Sequence, residues 1–285
     1  MFPEALEFHV APWIQDGLTW LVDRGGGFFH GVSVAITRSL NAIEAGLLAV
    51  PWWAWVGGVL LAAWAVTRRP LTAMTLAGLM MAIGAFGYWA AAIETLAMVI
   101  VAVALAVAIG LPLGIAMAES RRIHALVLPV LDAMQTMPSF VYLIPVMMLF
   151  QALGPVPGTL ATVVYALPPV ARLVDLGIRQ VPADAQEAAQ AFGATRWQLL
   201  FQVRLPLALP SIMAGINQTT MMALAMVVIA SMVGAGGVGE AVMRAIQRVD
   251  PGAGFEAGFT IVALAIVMDR LSQGLARRWQ VPRTG

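Results

Sequence analysis

Four acidic side chains in or near the apolar tracts of this sequence are the first candidates for a functional role. They are Asp132, Asp175, Asp269 and Glu94. An ionisable residue inside a membrane is a candidate for moving protons or ions. Arg172 lies three residues before Asp175, and Arg270 lies beside Asp269. Because the acids lie near separate tract ends, pairing with arginine is favoured over a proton relay or a substrate role.

Uncharged polar side chains inside the apolar tracts form a second group of candidates. Such groups either join helices or line a wet pathway, and aromatic faces bind permanent cations. The sequence offers Trp89 for such a contact. The pathway candidates are Gln135, Phe140, Tyr142, Asn217, Gln218 and Thr219. For these residues, a packing role is the favoured alternative to a pathway role.

A hairpin of two short helices is predicted within residues 179–206, RQVPADAQEAAQAFGATRWQLLFQVRLP. Asp184 followed by Glu187 resembles a capping box at the start of the first helix. Gly193 supplies the left-handed residue that ends this helix. Thr195 and Gln198 form a second capping box. Pro206 is expected to stop the second helix at Leu205.

The composition excludes several classes of protein. Only 11% of the 285 residues are charged and 60% are apolar, whereas about a quarter are charged in soluble domains. All 16 basic residues are arginine, and without lysine the chain lacks a phosphate-binding loop ending in Gly-Lys-Ser/Thr. The net charge of +1 offers no basic surface for a nucleic acid. Three scattered histidines and no cysteine predict no metal site, and no catalytic constellation is visible.

The elements that must position these residues are membrane spans, each needing about 20 apolar residues. Apolar tracts cover residues 51–67, 71–118, 133–171, 205–239 and 256–275. Breaks at 87–89 and 154–158 divide the second and third tracts, which makes seven predicted spans. With the N-terminus outside and the C-terminus inside, 12 of 16 arginines are cytoplasmic, as the positive-inside rule expects. The sequence therefore predicts an all-α integral membrane protein.

Three regions follow from this division. Residues 1–50 form an outer-face segment, in which Phe29, Val32, Ile36, Leu40, Ile43 and Leu47 recur at helical spacing. This amphipathic helix is expected on the outer membrane surface or against the bundle. Residues 51–278 form the transmembrane domain with the hairpin at 179–206, and residues 279–285 form a cytoplasmic tail.

The hairpin resembles a motif of ABC importer permeases, E-A-A-x3-G-x9-I-x-L-P. The matching residues are Glu187, Ala188, Ala189, Gly193, Leu205 and Pro206, with Val203 in the place of isoleucine. Further stretches, at 110–115, 131–150, 165–173, 215–239 and 266–271, are similar to permeases that import quaternary ammonium solutes. The resemblance covers roughly residues 50–275.

The resemblance implies the fold of an ABC type I importer permease in a bacterial plasma membrane. It implies a non-catalytic subunit whose coupling residues are Glu187, Ala188, Ala189, Gly193, Ala194, Leu205 and Pro206. Its expected partners are two copies of a cytoplasmic ATPase, which binds the ATP and Mg²⁺, a separate external solute-binding protein, a second identical permease and membrane lipid. The expected solute is glycine betaine, proline betaine, choline or carnitine, selected mainly by the external binding protein. The alternative is an ion-coupled carrier or channel that acts without an ATPase.

Overall fold

The computed structural model describes the backbone of residues 10–278, with side chains as far as Gly274. In this part of the chain every regular element is a helix, as predicted. The tail predicted at 279–285 lies outside the described residues, as does His9.

Twelve α-helices make up the described part of the chain. They are α1 (Ala11–Leu48), α2 (Trp52–Thr67), α3 (Pro70–Ala85), α4 (Trp89–Glu119), α5 (Arg121–Thr136), α6 (Leu143–Phe150), α7 (Pro155–Arg179), α8 (Ala183–Ala191), α9 (Arg196–Gln198), α10 (Leu205–Ala230), α11 (Gly237–Arg248) and α12 (Pro251–Arg278). Short 3₁₀ turns cover Ser139–Tyr142 and Ser231–Val233. A π-helical segment, Leu199–Arg204, joins α9 to α10.

The helices support fewer membrane spans than the seven predicted. Four continuous helical runs are long and apolar enough to cross a bilayer: α4, α7, the run from α9 through Val233, and α12. Two bent pairs, α1 with α2 and α5 with the segment Ser139–Phe150, bring the number to six. The predicted span that is not among these six is the second one, which corresponds to α3. Its 16 residues extend about 24 Å at 1.5 Å per residue, less than the roughly 30 Å of a hydrocarbon core.

The span predicted to begin at residue 133 is interrupted rather than straight. Met137 is extended, because the ring of Pro138 disfavours helical geometry in the residue before it. The chain consequently bends by 110° between α5 and the segment Ser139–Phe150. Pro112, Pro168 and Pro169, by contrast, lie within continuous helices.

Helix α1 contains the predicted amphipathic stretch and packs against the bundle. Ile36 and Leu40 are buried, with Val32 and Ile43 packed beside them. The helix contacts α4 and α6, and the ring of Phe29 meets that of Phe150 edge-on, with centroids 5.4 Å apart. The apolar face found from helical spacing is thus the face turned toward the other helices.

Helices α4, α7 and α10 form the tightly packed centre of the bundle. A Cβ atom on Gly114 of α4 would lie 2.5 Å from the carbonyl oxygen of Ala171 and 2.7 Å from Cβ of Val174, both in α7. A Cβ on Gly177 of α7 would lie 2.6 Å from Cβ of Ser211 in α10. Small residues that let backbones approach this closely are typical of helix packing in membranes.

Contacts near the ends of these three helices identify the two ends of the bundle. At one end, Arg179 at the end of α7 donates a hydrogen bond to the carbonyl oxygen of Met117, near the end of α4. The α8–α9 hairpin (residues 183–198) follows α7 at this end, which is the predicted cytoplasmic end. At the other end, the backbone N–H of Gly154 donates to the carbonyl oxygen of Val233, 2.7 Å away.

Candidate functional site

The α8–α9 hairpin folds as a helix–glycine–helix unit, with one correction to its predicted start. Helix α8 begins after Pro182, and no side chain caps its N-terminus. Asp184 lies in the first turn, where its carboxylate accepts from the N–H of Ala185. The predicted capping box between Asp184 and Glu187 is therefore wrong, because a proline at the N-cap position moves Asp184 inside the helix.

The turn and the second helix follow the prediction. Gly193 has a φ of +82°, in the left-handed region that favours glycine. The hydroxyl of Thr195 accepts from the N–H of Gln198, and the side-chain oxygen of Gln198 accepts from the N–H of Thr195. This reciprocal pair is a complete capping box. It fixes the direction in which the chain leaves the glycine turn.

The second helix does not stop at Leu205 as predicted. It runs on from α9 through the π-helical segment Leu199–Arg204 into α10, and Pro206 lies in the first turn of α10. A π segment changes the hydrogen-bond register from i→i+4 to i→i+5. This local adjustment accommodates the missing N–H of Pro206, as such adjustments do in membrane helices. The hairpin is therefore continuous with the central helix α10.

The outward surface of the hairpin carries large apolar side chains. Phe192 is 95% exposed, and Trp197 and Phe201 are mostly exposed. The rings of Trp197 and Phe201 stack with centroids 5.8 Å apart. Among the motif residues, Glu187 and Ala188 are also exposed, while Ala189 is half-buried. Exposed apolar side chains of this size are typical of surfaces that contact another protein or a membrane.

The remaining motif residues lie close to the turn and to the start of α10. Ala194, whose N–H donates to the carbonyl oxygen of Ala189, is half-buried. Leu205 is half-buried and Pro206 is exposed. The structure therefore places every predicted coupling residue on one hairpin or at its junction with α10.

A residue that sequence reasoning missed, Glu119, joins this hairpin to α4. Its carboxylate binds Arg204 through Oε1 and Arg196 through Oε2, the second at 3.3 Å. Arg204 is only 16% exposed, whereas Arg196 is 79% exposed. The available signal was an acid at the end of a long apolar tract. Its partners, 77 and 85 residues away, could not be identified from spacing.

The predicted pathway candidates do not form a single group. Gln135 and Gln218 line a cavity of about 400 Å³ between α5, α7 and α10. Asn217 instead donates to Asp269 (3.1 Å) and accepts from Ser272 (2.6 Å), which ties α10 to α12.

The other three candidates differ in their exposure. Phe140 is exposed in the 3₁₀ turn. Tyr142 is buried and donates to the carbonyl oxygen of Met134. Thr219 is fully buried. Of the six candidates, Gln135 and Gln218 thus line the cavity, and Phe140 is exposed outside it.

The acids at the predicted cytoplasmic ends are paired, but not with the predicted partners. Asp175 binds Arg179 at 2.6 Å and lies 2.9 Å from Nδ1 of His124. Arg172 binds Asp132 across the gap between α7 and α5. The predicted pair of Arg172 with Asp175 is wrong, because Arg179 occupies the i+4 position relative to Asp175 on α7.

The third of these acids, Asp269, also has partners other than the predicted one. Asp269 was predicted to pair with the adjacent Arg270, but its carboxylate accepts from Asn217 and Gln273. Adjacent residues on a helix point in different directions, whereas Gln273 lies one turn away on the same face. Asp132, Asp175 and Asp269 therefore all have protein partners, as a structural role requires, although the partners differ from those predicted.

Proteins of known family are similar to this chain over most of its length. The family model for "Binding-protein-dependent transport system inner membrane component" matches residues 110–281. The glycine betaine/proline betaine transport system permease protein ProW of Escherichia coli is 48% identical over 265 residues, covering 93% of this chain and 74% of that protein. The glycine betaine permease OpuAB of Bacillus subtilis is 43% identical, covering 93% of this chain and 94% of that protein.

Two further known proteins are similar to this chain, one in sequence and one in structure. The glycine betaine/carnitine permease GbuB of Listeria monocytogenes is 42% identical, covering 94% of this chain and 96% of that protein. A chain of the inward-facing MetNI methionine ABC transporter superposes with a TM-score of 0.61 at 22% identity. The superposition covers 66% of this chain and 93% of that one. This last likeness establishes a shared fold.

Proposed function

The chain belongs to the family of binding-protein-dependent transport system inner membrane components, and we propose that its α8–α9 hairpin receives the movement of a separate ATPase subunit. The chain is a multi-pass inner-membrane permease subunit of an ABC importer. The family implies an ATPase and an external solute-binding protein as partners. Within this framework the hairpin is the contact with the ATPase, and ATP and Mg²⁺ bind to the ATPase alone.

The solute that we propose is a small quaternary ammonium compound, such as glycine betaine, proline betaine, choline or carnitine. This proposal is supported by the names of three relatives, each at least 42% identical, that transport glycine betaine alone or with a second such solute. The external binding protein selects the solute, and this chain supplies the route through the membrane.

The single observation that carries the coupling role is the exposed apolar surface of the hairpin. Phe192 and the stacked rings of Trp197 and Phe201 project from a unit held by a glycine turn and a complete capping box. A rigid element with an apolar surface is suited to fit a groove on another protein. Glu187 orients the docking helix, and Gly193 allows the turn.

The proposed cycle is a movement of rigid bodies. When ATP closes a pair of ATPase subunits, the hairpins of two permease copies move with them. The central helices then tilt from an inward-open to an outward-open arrangement, a two-state change biased from the cytoplasm. The cavity lined by Gln135 and Gln218 becomes part of the route between the two copies.

The test is reconstitution of the purified permease with its ATPase in liposomes. ATP-dependent uptake of radiolabelled glycine betaine, delivered by the external binding protein, is the expected result. Uptake by this chain alone, driven by an ion gradient and independent of ATP, would instead establish the carrier alternative. Direct binding of betaine, choline and carnitine to the external protein identifies the solute.

A further inference from the structure

The cytoplasmic end of α4 is joined to the hairpin by one carboxylate and two arginines. Arg196 belongs to α9, and Arg204 is the last residue of the π segment Leu199–Arg204. Both bind Glu119. One arginine therefore lies before the π segment and the other at its last residue, and both meet the same carboxylate of a different helix.

Packing alone does not fasten the hairpin to α4. A cavity of about 510 Å³ lies between them, lined by Pro112, Ile115 and Ala116 of α4 and by Trp197 and Leu200 of the hairpin. Apolar contacts across a cavity are weak, because dispersion forces need close contact. Glu119 lies at the edge of this cavity, where its two ionic contacts replace the missing packing.

The π segment is a point at which the helix can bend, so α9 and α10 need a second attachment in order to move together. A π turn within an α-helix is frequent at functional sites and is a recognised cause of helix bending. Without a second attachment, movement of α9 would be absorbed by bending at Leu199–Arg204 before it reached α10. A carboxylate that binds one residue before the segment and one at its end opposes this bend.

We propose that Glu119 is the positioning residue that makes the hairpin and α4 move as one body, and that this contact is required to convert ATP hydrolysis into transport. The inference rests on the function proposed above. From α4 the movement reaches α7 through the contact of Arg179 with Met117. It reaches α5 through His124, which lies against Asp175 of α7.

The first test is Glu119→Gln in the reconstituted importer, with uptake and ATP hydrolysis measured together. We expect ATP hydrolysis to continue while solute imported per ATP falls about 5-fold or more, within the usual range of coupling between sites. Arg204→Gln should match this loss, and Arg196→Gln should have a smaller effect, because its contact is exposed to solvent. Glu240→Gln, which removes an exposed pair with Arg244, is the control and should behave as wild type.

A double variant separates coupling from a loss of folding. If the contact acts as a unit, Glu119→Gln combined with Arg204→Gln should lose no more coupling than either single change. Additive losses would overturn the inference. Failure of the wild-type importer to use ATP would contradict the proposed function, whereas normal coupling in Glu119→Gln would contradict only the role of Glu119.

A distance measurement tests the same idea without transport. The sequence contains no cysteine, so this chain can be spin-labelled at Gln190→Cys on α8 and Arg122→Cys at the start of α5 alone, before it is assembled with its partners. Both positions are exposed. In the wild-type complex the distance between labels should stay the same with and without ATP, and in Glu119→Gln its distribution should broaden. Identical distributions in the two backgrounds would overturn the inference, and Arg204→Gln serves if Glu119→Gln does not assemble.

Discussion

The carboxylate of Glu94 accepts a hydrogen bond from the backbone N–H of Gly237, 2.8 Å away, although the two residues are 143 positions apart. The hydroxyl of the next residue, Thr95, accepts from the N–H of Val238 at 2.9 Å. Together they satisfy backbone donors at the start of α11, which has no side-chain cap of its own. Two neighbouring residues near the start of α4 thus fix α11 at the predicted outer end.

This contact explains the glycine-rich segment before α11 and gives the first prediction. Gly236 has a φ of +85°, and a Cβ there would collide with the carboxylate of Glu94. We expect Gly236→Ala to destabilise the protein by about 2 kcal/mol, since left-handed strain alone costs 1–3 kcal/mol. The measurement is the thermal midpoint of the purified permease in detergent.

The control for this prediction is Gly258→Ala in α12. A Cβ at Gly258 meets nothing within 4 Å, and alanine favours a helix over glycine. This variant should melt at or above the wild-type temperature. Equal melting temperatures for Gly236→Ala and wild type would show that the segment adapts to a side chain.

The turn of the hairpin gives a second prediction. A Cβ at Gly193 meets no atom within 4 Å, so the cost of a substitution comes from its positive φ alone. A β-branched residue tolerates this conformation poorly, while asparagine adopts it readily. We expect Gly193→Val to lower solute-stimulated ATP hydrolysis and uptake together, and Gly193→Asn to retain most of both. Normal rates in Gly193→Val would contradict a coupling role for this turn.

The exposed apolar surface gives a third prediction. Truncation of a central aromatic residue in an interface typically costs at least 2 kcal/mol of binding free energy. We therefore expect Phe192→Ser to weaken assembly of the permease with its ATPase by about 30-fold or more, measured by co-purification at graded ATPase concentrations. Val249→Ser, which changes another highly exposed apolar residue at the opposite end, should assemble normally. If Phe192→Ser also assembles normally, the ATPase must bind elsewhere.

The ion pairs near the cytoplasmic end give a fourth prediction. The side chain of Asp175 is only 7% exposed, and it faces both Arg179 and His124. We expect Asp175→Asn to cost about 2–3 kcal/mol, less than most of the roughly 3–5 kcal/mol for breaking a fully buried pair, because Arg179 is one-third exposed. The measurement is again the thermal midpoint in detergent.

The matched control is Asp132→Asn. Asp132 binds Arg172 but its side chain is 55% exposed, and exposed pairs contribute about 0–1 kcal/mol. The midpoint should therefore change little. Equal losses in the two variants would mean that burial does not decide the strength of these pairs.

The sequence was sufficient to predict features that depend on neighbours in the chain. The capping box of Thr195 and Gln198 and the left-handed Gly193 follow from contacts within a few residues, and both are present. The apolar face of α1 could be predicted for the same reason, because helical periodicity places these side chains on one side of the helix. The family and the all-α architecture followed from motif spacing and hydropathy in the same way.

Features that depend on helix packing could not be predicted in this way. Glu119 meets arginines from the hairpin, and Glu94 meets the start of α11, only because separate helices lie side by side. Arg172 reaches across to Asp132 rather than pairing along its own helix. The position of the bend at Pro138 could have been predicted, since proline disfavours a helix before it. The angle of the bend depends on the surrounding helices.

The glycine contacts between α4 and α7 restrict how a passage can open. A Cβ at Gly110 or Gly114 would collide with Val170 or Val174, so the two backbones already lie at their closest approach. Sliding one helix along the other would drive these side chains into the opposing main chain. We therefore expect α4 and α7 to keep the same register in every state of the cycle, with a passage opened by rotation of these helices as one body rather than by shear between them.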